Sequence, residues 1–456
     1  MNRVIKVAAL GVACVALASC GTVSKMNPFH GPKSKIVAAK GERIPVLTYD
    51  TTVKPSDALS GVEIALPEAQ PVAAWPLPGG NAEQSLENVQ AAPDFQVAWR
   101  RDIGVKSGAK TQVTAPPVAV DGKIFTMDGQ ADVVATDAKT GRHEWRTNLR
   151  PKSKRDKEAF GGGLAVADGK VLVTSGFRLV AALDAATGKV LWQKNVTSPI
   201  HAAPTISNGR VFAVDLDDQI LAFDVNNGDQ VWSYQALVEP ARVLKASSPA
   251  VLGDEVVAPF ASGELVALSA ANGNALWDQA LSRTSRMNAL SEIRDIPGRP
   301  VIYKGDVYAA SQSGVFAAVD VRSGNPRWEL PIASINTPWP AGDAVYIVSK
   351  AGEVVAVNRE SGQVYWLVDL NKGRTRQEGG FARIGRHVVH PIWSGPMLSG
   401  DRLILVNNWG EAVTLEAKTG KLTKTIKIGD ASYMSPIAYD GMIYVVTDNA
   451  KLVAIR

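Results

Sequence analysis

Cysteine is nearly missing from this chain of 456 residues: only Cys14 and Cys20 occur. That argues against a disulfide framework and leaves stability to a hydrophobic core, which a chain of this length can build. Histidine is scarce too, with His30, His143, His201, His387 and His390. His387 and His390 lie close, but neither cysteine nor clustered carboxylates accompany them, so the pair reads as part of a polar loop and no metal is expected. Charged residues make up 20% of the chain and the net charge is +5. The basic residues are scattered, and the absence of a dense Lys/Arg block with interleaved aromatics points away from nucleic acid. Gly161-Gly162-Gly163 lacks the spacing of a phosphate loop, and Asp215-Leu216-Asp217-Asp218 lacks the rest of a calcium ligand ladder. No catalytic constellation emerges, so neither an enzyme nor a cofactor is expected.

What is present begins at the N-terminus. Arg3 and Lys6 precede an apolar stretch from Val7 to Ala18, too short for a permanent membrane span and suited to a signal peptide. Leu17-Ala18-Ser19-Cys20 resembles the lipobox of bacterial lipoproteins, a likeness that implies cleavage after residue 19 and lipidation (palmitate included) of Cys20. The alternative is a plain secretory signal with a chance cysteine. By the same resemblance, Gly21 in place of Asp implies sorting to the outer membrane, facing the periplasm. Residues 20–94 are rich in Pro, Ala, Gly and Glu with poor periodicity, and are expected to form an extended tether. Within it, Arg43 to Leu47 and Trp75 are candidates for docking on the body; plain disorder is the alternative.

From Phe95 onward the sequence repeats. The clearest unit is Ala135-Thr136-Asp137, Thr140-Gly141 and Trp145. It recurs with Trp192, Trp232, Trp277, Trp328 and Trp366, and degenerates at Thr414-Leu415-Glu416, Thr419-Gly420 and Lys424. Upstream of each lie two apolar runs joined by a tight turn: Asp121-Gly122, Asp168-Gly169, Asn208-Gly209, Gly253-Asp254, Gly305-Asp306, Gly342-Asp343, Gly400-Asp401 and Asp440-Gly441. Asn-Gly and Asp-Gly supply the positive φ that two-residue hairpins need. Each unit is thus four short antiparallel strands, the period of a propeller blade. Trp99 stands in its slot with no upstream strands, while the last copy ends at Ala454-Ile455-Arg456 without a Trp segment. The two fragments complete one blade. The expectation is an all-β, eight-bladed β-propeller over residues 95–456, closed by pairing the N-terminal strand with the C-terminal three. The repeated tryptophans are assigned to packing between blades.

The Ala-x-Asp-x-x-Thr-Gly-x-x-x-Trp unit resembles the tryptophan-docking repeat of pyrroloquinoline-quinone dehydrogenases. With the lipobox, the eight units and the length, residues 95–456 resemble the BamB family of lipoproteins of the outer-membrane β-barrel assembly (Bam) machinery. That resemblance implies a non-catalytic scaffold. Its implied partners are the POTRA domains of a BamA-like insertase, other Bam lipoproteins and unfolded outer-membrane protein substrates. It also implies a docking site on two adjacent inter-blade loops. The first corresponds to Arg242-Val243-Leu244-Lys245, where Leu244 matches the apolar contact and Arg242 departs from a second Leu. Lys245 stands for Arg and loses its bidentate geometry. The second loop contains Arg294 and Asp295, with Pro297 where the family has another acid. Two other readings stand beside this one. One is a quinone-dependent dehydrogenase, disfavoured because its adjacent cysteines are missing; the other is a scaffold of another envelope complex.

Loop lengths lead to the same surface without any family. The insertions run from Thr147 to Phe160, Ser233 to Ala246, Asp278 to Arg299 and Leu367 to Ser394, all after Trp slots. Such connections emerge on one face of a propeller, and long loops in compact domains are usually functional. The first carries Arg150, Lys152, Lys154, Arg155 and Lys157, and the last Lys372, Arg374, Arg376, Arg383 and Arg386. An acidic partner or anionic lipid suits these; a solvated basic loop is the alternative.

Overall fold

The computed structural model describes residues 53–151, 160–239, 242–243, 247–282, 293–378 and 387–456. The signal segment 1–19, Cys20, and the Arg43 to Leu47 stretch lie outside them, as do Leu244 and Lys245. At the hairpin tips, Asp121 and Gly122 adopt φ of 52° and 76°, and Asn208 and Gly209 49° and 71°. This conformation matches the right-handed twist of the flanking strands. In the fifth repeat the turn is Lys304-Gly305, one residue earlier than the sequence suggests, because Asp306 already starts the next strand.

These hairpins build eight blades among the described residues: seven are four-stranded antiparallel sheets, and in the seventh blade the four antiparallel strands are extended at the inner edge by Val89–Gln90 and Gln70–Pro71, which pair in parallel. Blade 1 contains Val118–Val120, Lys123–Met127, Asp132–Asp137 and His143–Asn148. Blades 2 to 7 span 162–195, 205–235, 250–280, 301–330, 339–369 and 393–427. Blade 8 joins Val97–Asp102 to Lys451–Ile455, Met442–Val446 and Ile437–Tyr439. Trp99 pairs with Ala454, so the expected closure of first strand on last three is in place. Second and third strands are buried along nearly their whole length, since neighbouring blades cover both faces. Outer strands alternate, as one-sided packing requires.

The repeated tryptophans lie opposite the repeated alanines: Ala135 faces Trp145, Ala222 faces Trp232 and Ala356 faces Trp366. Each indole reaches the following blade. Trp145 Nε1 donates to Ala185 O at 3.1 Å, Trp232 Nε1 to Ala270 O at 3.0 Å and Trp366 Nε1 to Ala417 O at 3.1 Å. The ring lies over the next blade's turn glycine. At Gly228, whose φ is +72°, a Cβ would stand 2.5 Å from the Trp192 ring. The repeat therefore needs glycine both for its conformation and for the approach of the indole. Lys424 breaks the pattern for a topological reason. Its neighbour is blade 8, where the third and outer strands come from opposite chain ends and no Thr-Gly turn joins them. Lys424 Nζ instead donates to Asp94 O at 2.7 Å.

The segment expected as a tether is described from Val53 to Asp94; it is irregular, with a 3-10 turn at Asp57–Leu59 and tight turns at Leu77–Gly80 and Asn81–Gln84, and it packs on the ring. Its polar contacts make one lap of the axis at the end where the first hairpins turn. Asp440 N in blade 8 donates to Val72 O at 3.1 Å, and Trp75 exchanges bonds with Ala119 of blade 1. Val166 N of blade 2 donates to Pro76 O at 2.8 Å, Val251 N of blade 4 to Ala82 O at 2.8 Å, and Ile302 N of blade 5 to Glu83 O at 2.9 Å. Gln84 Nε2 reaches Thr205 of blade 3 at 3.4 Å. Trp339 Nε1 of blade 6 donates to Glu87 O at 2.6 Å, and Gly400 N of blade 7 to Val89 O at 2.9 Å. Trp75 is buried and stacks on Trp339 with ring centroids 6.4 Å apart. This strap satisfies inner-strand backbone groups that would otherwise face the channel mouth.

Candidate functional site

Each blade's outer strand returns to the face opposite the strap, and the long insertions all leave from there. The two loops singled out by the sequence follow the outer strands of blades 3 and 4, so they are neighbours. The structure joins them: Val243 N donates to Asp295 Oδ2 at 3.0 Å. Arg242 Nη2 donates to Asp218 Oδ2 at 2.9 Å and to Glu239 O at 3.2 Å. Asp218, only 1% exposed, also accepts the amides of Glu239 at 2.9 Å and Ala261 at 3.2 Å. Gly263, with φ +84°, lets the backbone of the second loop lie close, since a Cβ there would stand 2.9 Å from Arg294 O.

Asp295 is 8% exposed, so its carboxyl points into the protein. A charge reversal there would therefore disturb the loops themselves, and a reduced capture of any partner by such a variant would not isolate a contact. Burial pushes the Asp295 carboxyl up to about 7, against the opposing pull of the Val243 amide and Arg242. Burial also raises Asp215 to about 6 and lowers His201 to about 4, with Arg242 adding to the latter. These groups surround a cavity of about 30 Å³, of the size of a water molecule. What the arrangement does is tie the first insertion to its own blade through the Arg242–Asp218 ion pair and to the second insertion through the Asp295 carboxyl.

A pH dependence follows. The folded Asp295 carboxyl titrates near 7 and the unfolded one near the ordinary carboxylate value, so its ionisation costs stability as pH rises through that window, and the full cost applies above about 7. Asp295→Asn keeps an acceptor for Val243 N without the charge. The variant's stability relative to wild type is expected to rise between pH 5 and 8 by on the order of 2 kcal/mol. Urea melts of both proteins at the two pH values check this; His201 titrates alike in both and cancels.

Of the other predicted docking residues, Arg294 is exposed, while Leu244 and Lys245 lie outside the described residues. The sequence did not single out Leu237 and Val238, 67% and 64% exposed, the most exposed large apolar side chains among the described residues. They stand just past Gln230–Gln235, in the same insertion as Arg242. The signal was an apolar pair beyond the last alternating strand position, with no inward face to occupy. The basic insertions are partly engaged internally. Arg374 pairs with Glu411 at 2.6 Å, and Arg376 lies 4.0 Å over the Trp409 ring. Arg150 donates to Gln130 at 3.1 Å. The last insertion also contains a small hairpin, Arg376–Glu378 with His387–Val389, that the sequence did not suggest.

Residues 152–368 and 350–456 match the family model described as outer membrane protein assembly factor BamB. Residues 85–166 match that of the glucose/ethanol/alcohol dehydrogenase β-propeller domain. Among curated relatives, outer membrane protein assembly factor BamB of Burkholderia pseudomallei is 29% identical over 304 residues, 66% of this chain and 76% of its own length. Its Salmonella typhimurium counterpart is 24% identical over 401 residues, 87% of this chain and 95% of its own. Among solved structures, BamB from Moraxella catarrhalis superposes with a TM-score of 0.64 at 20% identity, covering 79% of this chain and 99% of that one. Quinohemoprotein alcohol dehydrogenase from Comamonas testosteroni superposes at 0.63 with 16% identity, covering 84% and 80%. These two structural likenesses bear on the fold alone.

Proposed function

The chain belongs to the family of outer membrane protein assembly factor BamB, and from that premise we propose that it is a non-catalytic scaffold subunit of the outer-membrane β-barrel assembly machinery. In this reading it associates with the outer membrane through lipid on Cys20 and faces the periplasm. Its insertion-bearing face docks on the POTRA domains of a BamA-like insertase, beside other Bam lipoproteins, and helps unfolded outer-membrane proteins reach the insertase. The observation that carries the proposal is the pairing of the two insertions. Val243 and Asp295 lock them together, and Leu237 and Val238 are left in solvent beside the lock. Exposed aliphatic side chains beside a bond that ties the two insertions suit a docking surface, because the tie lowers the entropy left to lose on binding. Leu244 and Lys245, and Arg294 across the gap, complete the proposed contact.

The test is capture of the BamA-like insertase from gently solubilised membranes by the full-length protein. The double variant Leu237→Asp/Val238→Asp is expected to lower affinity by roughly tenfold or more, the scale of a hot-spot loss, with the melting temperature unchanged. Leu244→Asp is expected to act in the same direction. Undiminished capture by both variants would move the docking surface elsewhere.

A further inference from the structure

The channel along the ring axis holds a cavity of about 530 Å³, within the range that accommodates small organic molecules. Its wall is made where the chain enters the inner strands, at Ala203, Ser248, Thr337 and Ser435 among others, and Pro78 of the strap lines it as well. Because the strap circles the turn-side end, the cavity is a cup that faces the insertion-bearing side.

Arg299, just before Val301–Tyr303 of blade 5, lines this cup. Its backbone amide donates to Thr337 Oγ1 at 3.2 Å, which fixes the base of the side chain. Its Nε is enclosed and has no hydrogen-bond partner among the described residues. No carboxylate among the described residues pairs with it; desolvation alone acts on it, lowering it to about 10. Other half-buried arginines have partners: Arg402 donates to the carbonyls of Ala91 and Ala92, and three more pair with carboxylates. Arg242 pairs with Asp218, Arg359 with Asp306 and Arg374 with Glu411. Arg299 as a whole is half-buried, with its Nε cut off from water, and a partly desolvated guanidinium with no anion beside it among the described residues costs the fold something. A bound anion would repay that cost, and a planar carboxylate matches the guanidinium fork. Val113, Ile335 and Met434 supply apolar wall in the same cup.

We propose that the channel cup of this protein binds a small organic carboxylate, with its carboxylate on the Arg299 guanidinium and its apolar body against Val113, Ile335 and Met434. The inference is independent of the docking surface and concerns a different part of the molecule.

The experiment uses the full-length protein in detergent, with benzoate, 1-naphthoate and hexanoate at millimolar concentration as probes and benzamide as the uncharged control. Binding is read by ligand-observed NMR and by melting temperature. At least one carboxylate is expected to bind wild type, and in the case of benzoate roughly ten- to hundredfold tighter than benzamide, the weight of a charge-assisted bond. Arg299→Met is expected to lose carboxylate binding by the same factor while melting, without ligand, at or above the wild-type temperature, because a desolvated charge has been removed. Arg299→Lys, which keeps the charge without the fork, is expected to fall between. The proposal is overturned if no carboxylate binds wild type, or if benzamide binds as well as benzoate. A lower melting temperature for unliganded Arg299→Met would overturn it too, since the guanidinium would then be structural.

Discussion

Deleting residues 451–456 is expected to leave no folded ring. The strand Lys451–Ile455 lies between Val97–Asp102 on one side and Met442–Val446 on the other. Leu452, Val453, Ala454 and Ile455 are fully buried. Losing the three larger of these forfeits about 1.5–3 kcal/mol each, against a total stability of about 5–15 kcal/mol for a typical domain. The deletion also strands the Trp99 segment, which has no other strand to pair with, and opens sheet edges on both sides of the gap. The expected result is insoluble protein, or soluble protein without a cooperative melt by circular dichroism. A truncated chain that melts cooperatively near the wild-type temperature would show that the ring does not depend on this closure.

The second large effect is expected at Trp75. It is 1% exposed, stacks on Trp339, donates Nε1 to Pro78 O at 3.3 Å and pairs its backbone with Ala119. Trp75→Ala removes the largest buried side chain of the strap and is expected to cost about 3–5 kcal/mol. The loss is local in origin, so the strap should detach before the blades unfold. Hydrogen exchange is expected to accelerate at the amides of Ala119, Val166 and Val251, which donate to the strap, while the third strands of the blades stay protected. Unchanged exchange at those three amides would mean that the other strap contacts hold it without the indole.

Local chemistry explains why so much of the ring was legible. Asp-Gly and Asn-Gly turns, alternating outer strands and the Ala–Trp spacing are short-range signals, and each recurs often enough to be read against its copies. The blade count and the closing pair followed from the same repeats. Lys424 looked like decay within the repeat; it is the one place where the neighbouring blade lacks a turn for an indole to cover. The strap was less legible. Residues 53–94 bond to eight different blades through backbone and single side chains, and such a path leaves no periodicity to detect. Trp75 was the one visible hint.

The docking residues divide in the same way. Their position on two adjacent insertions is a consequence of repeat spacing, and the sequence contained it. Which side chains face solvent was decided by packing. Asp295 turns inward to hold Val243, and Leu237 and Val238 are left outside. The cup around Arg299 is wholly tertiary. Its walls come from segments far apart in sequence, brought together only when the circle closes and the strap crosses its end. By itself, then, the sequence determined the blade, the number of blades and how the circle is sealed, because the first two rest on contacts between neighbours in the chain and the third on one repeat being split between its two ends. The inward carboxyl, the strap and the enclosed Nε of Arg299 depend on burial by distant residues, and only the assembled ring sets that.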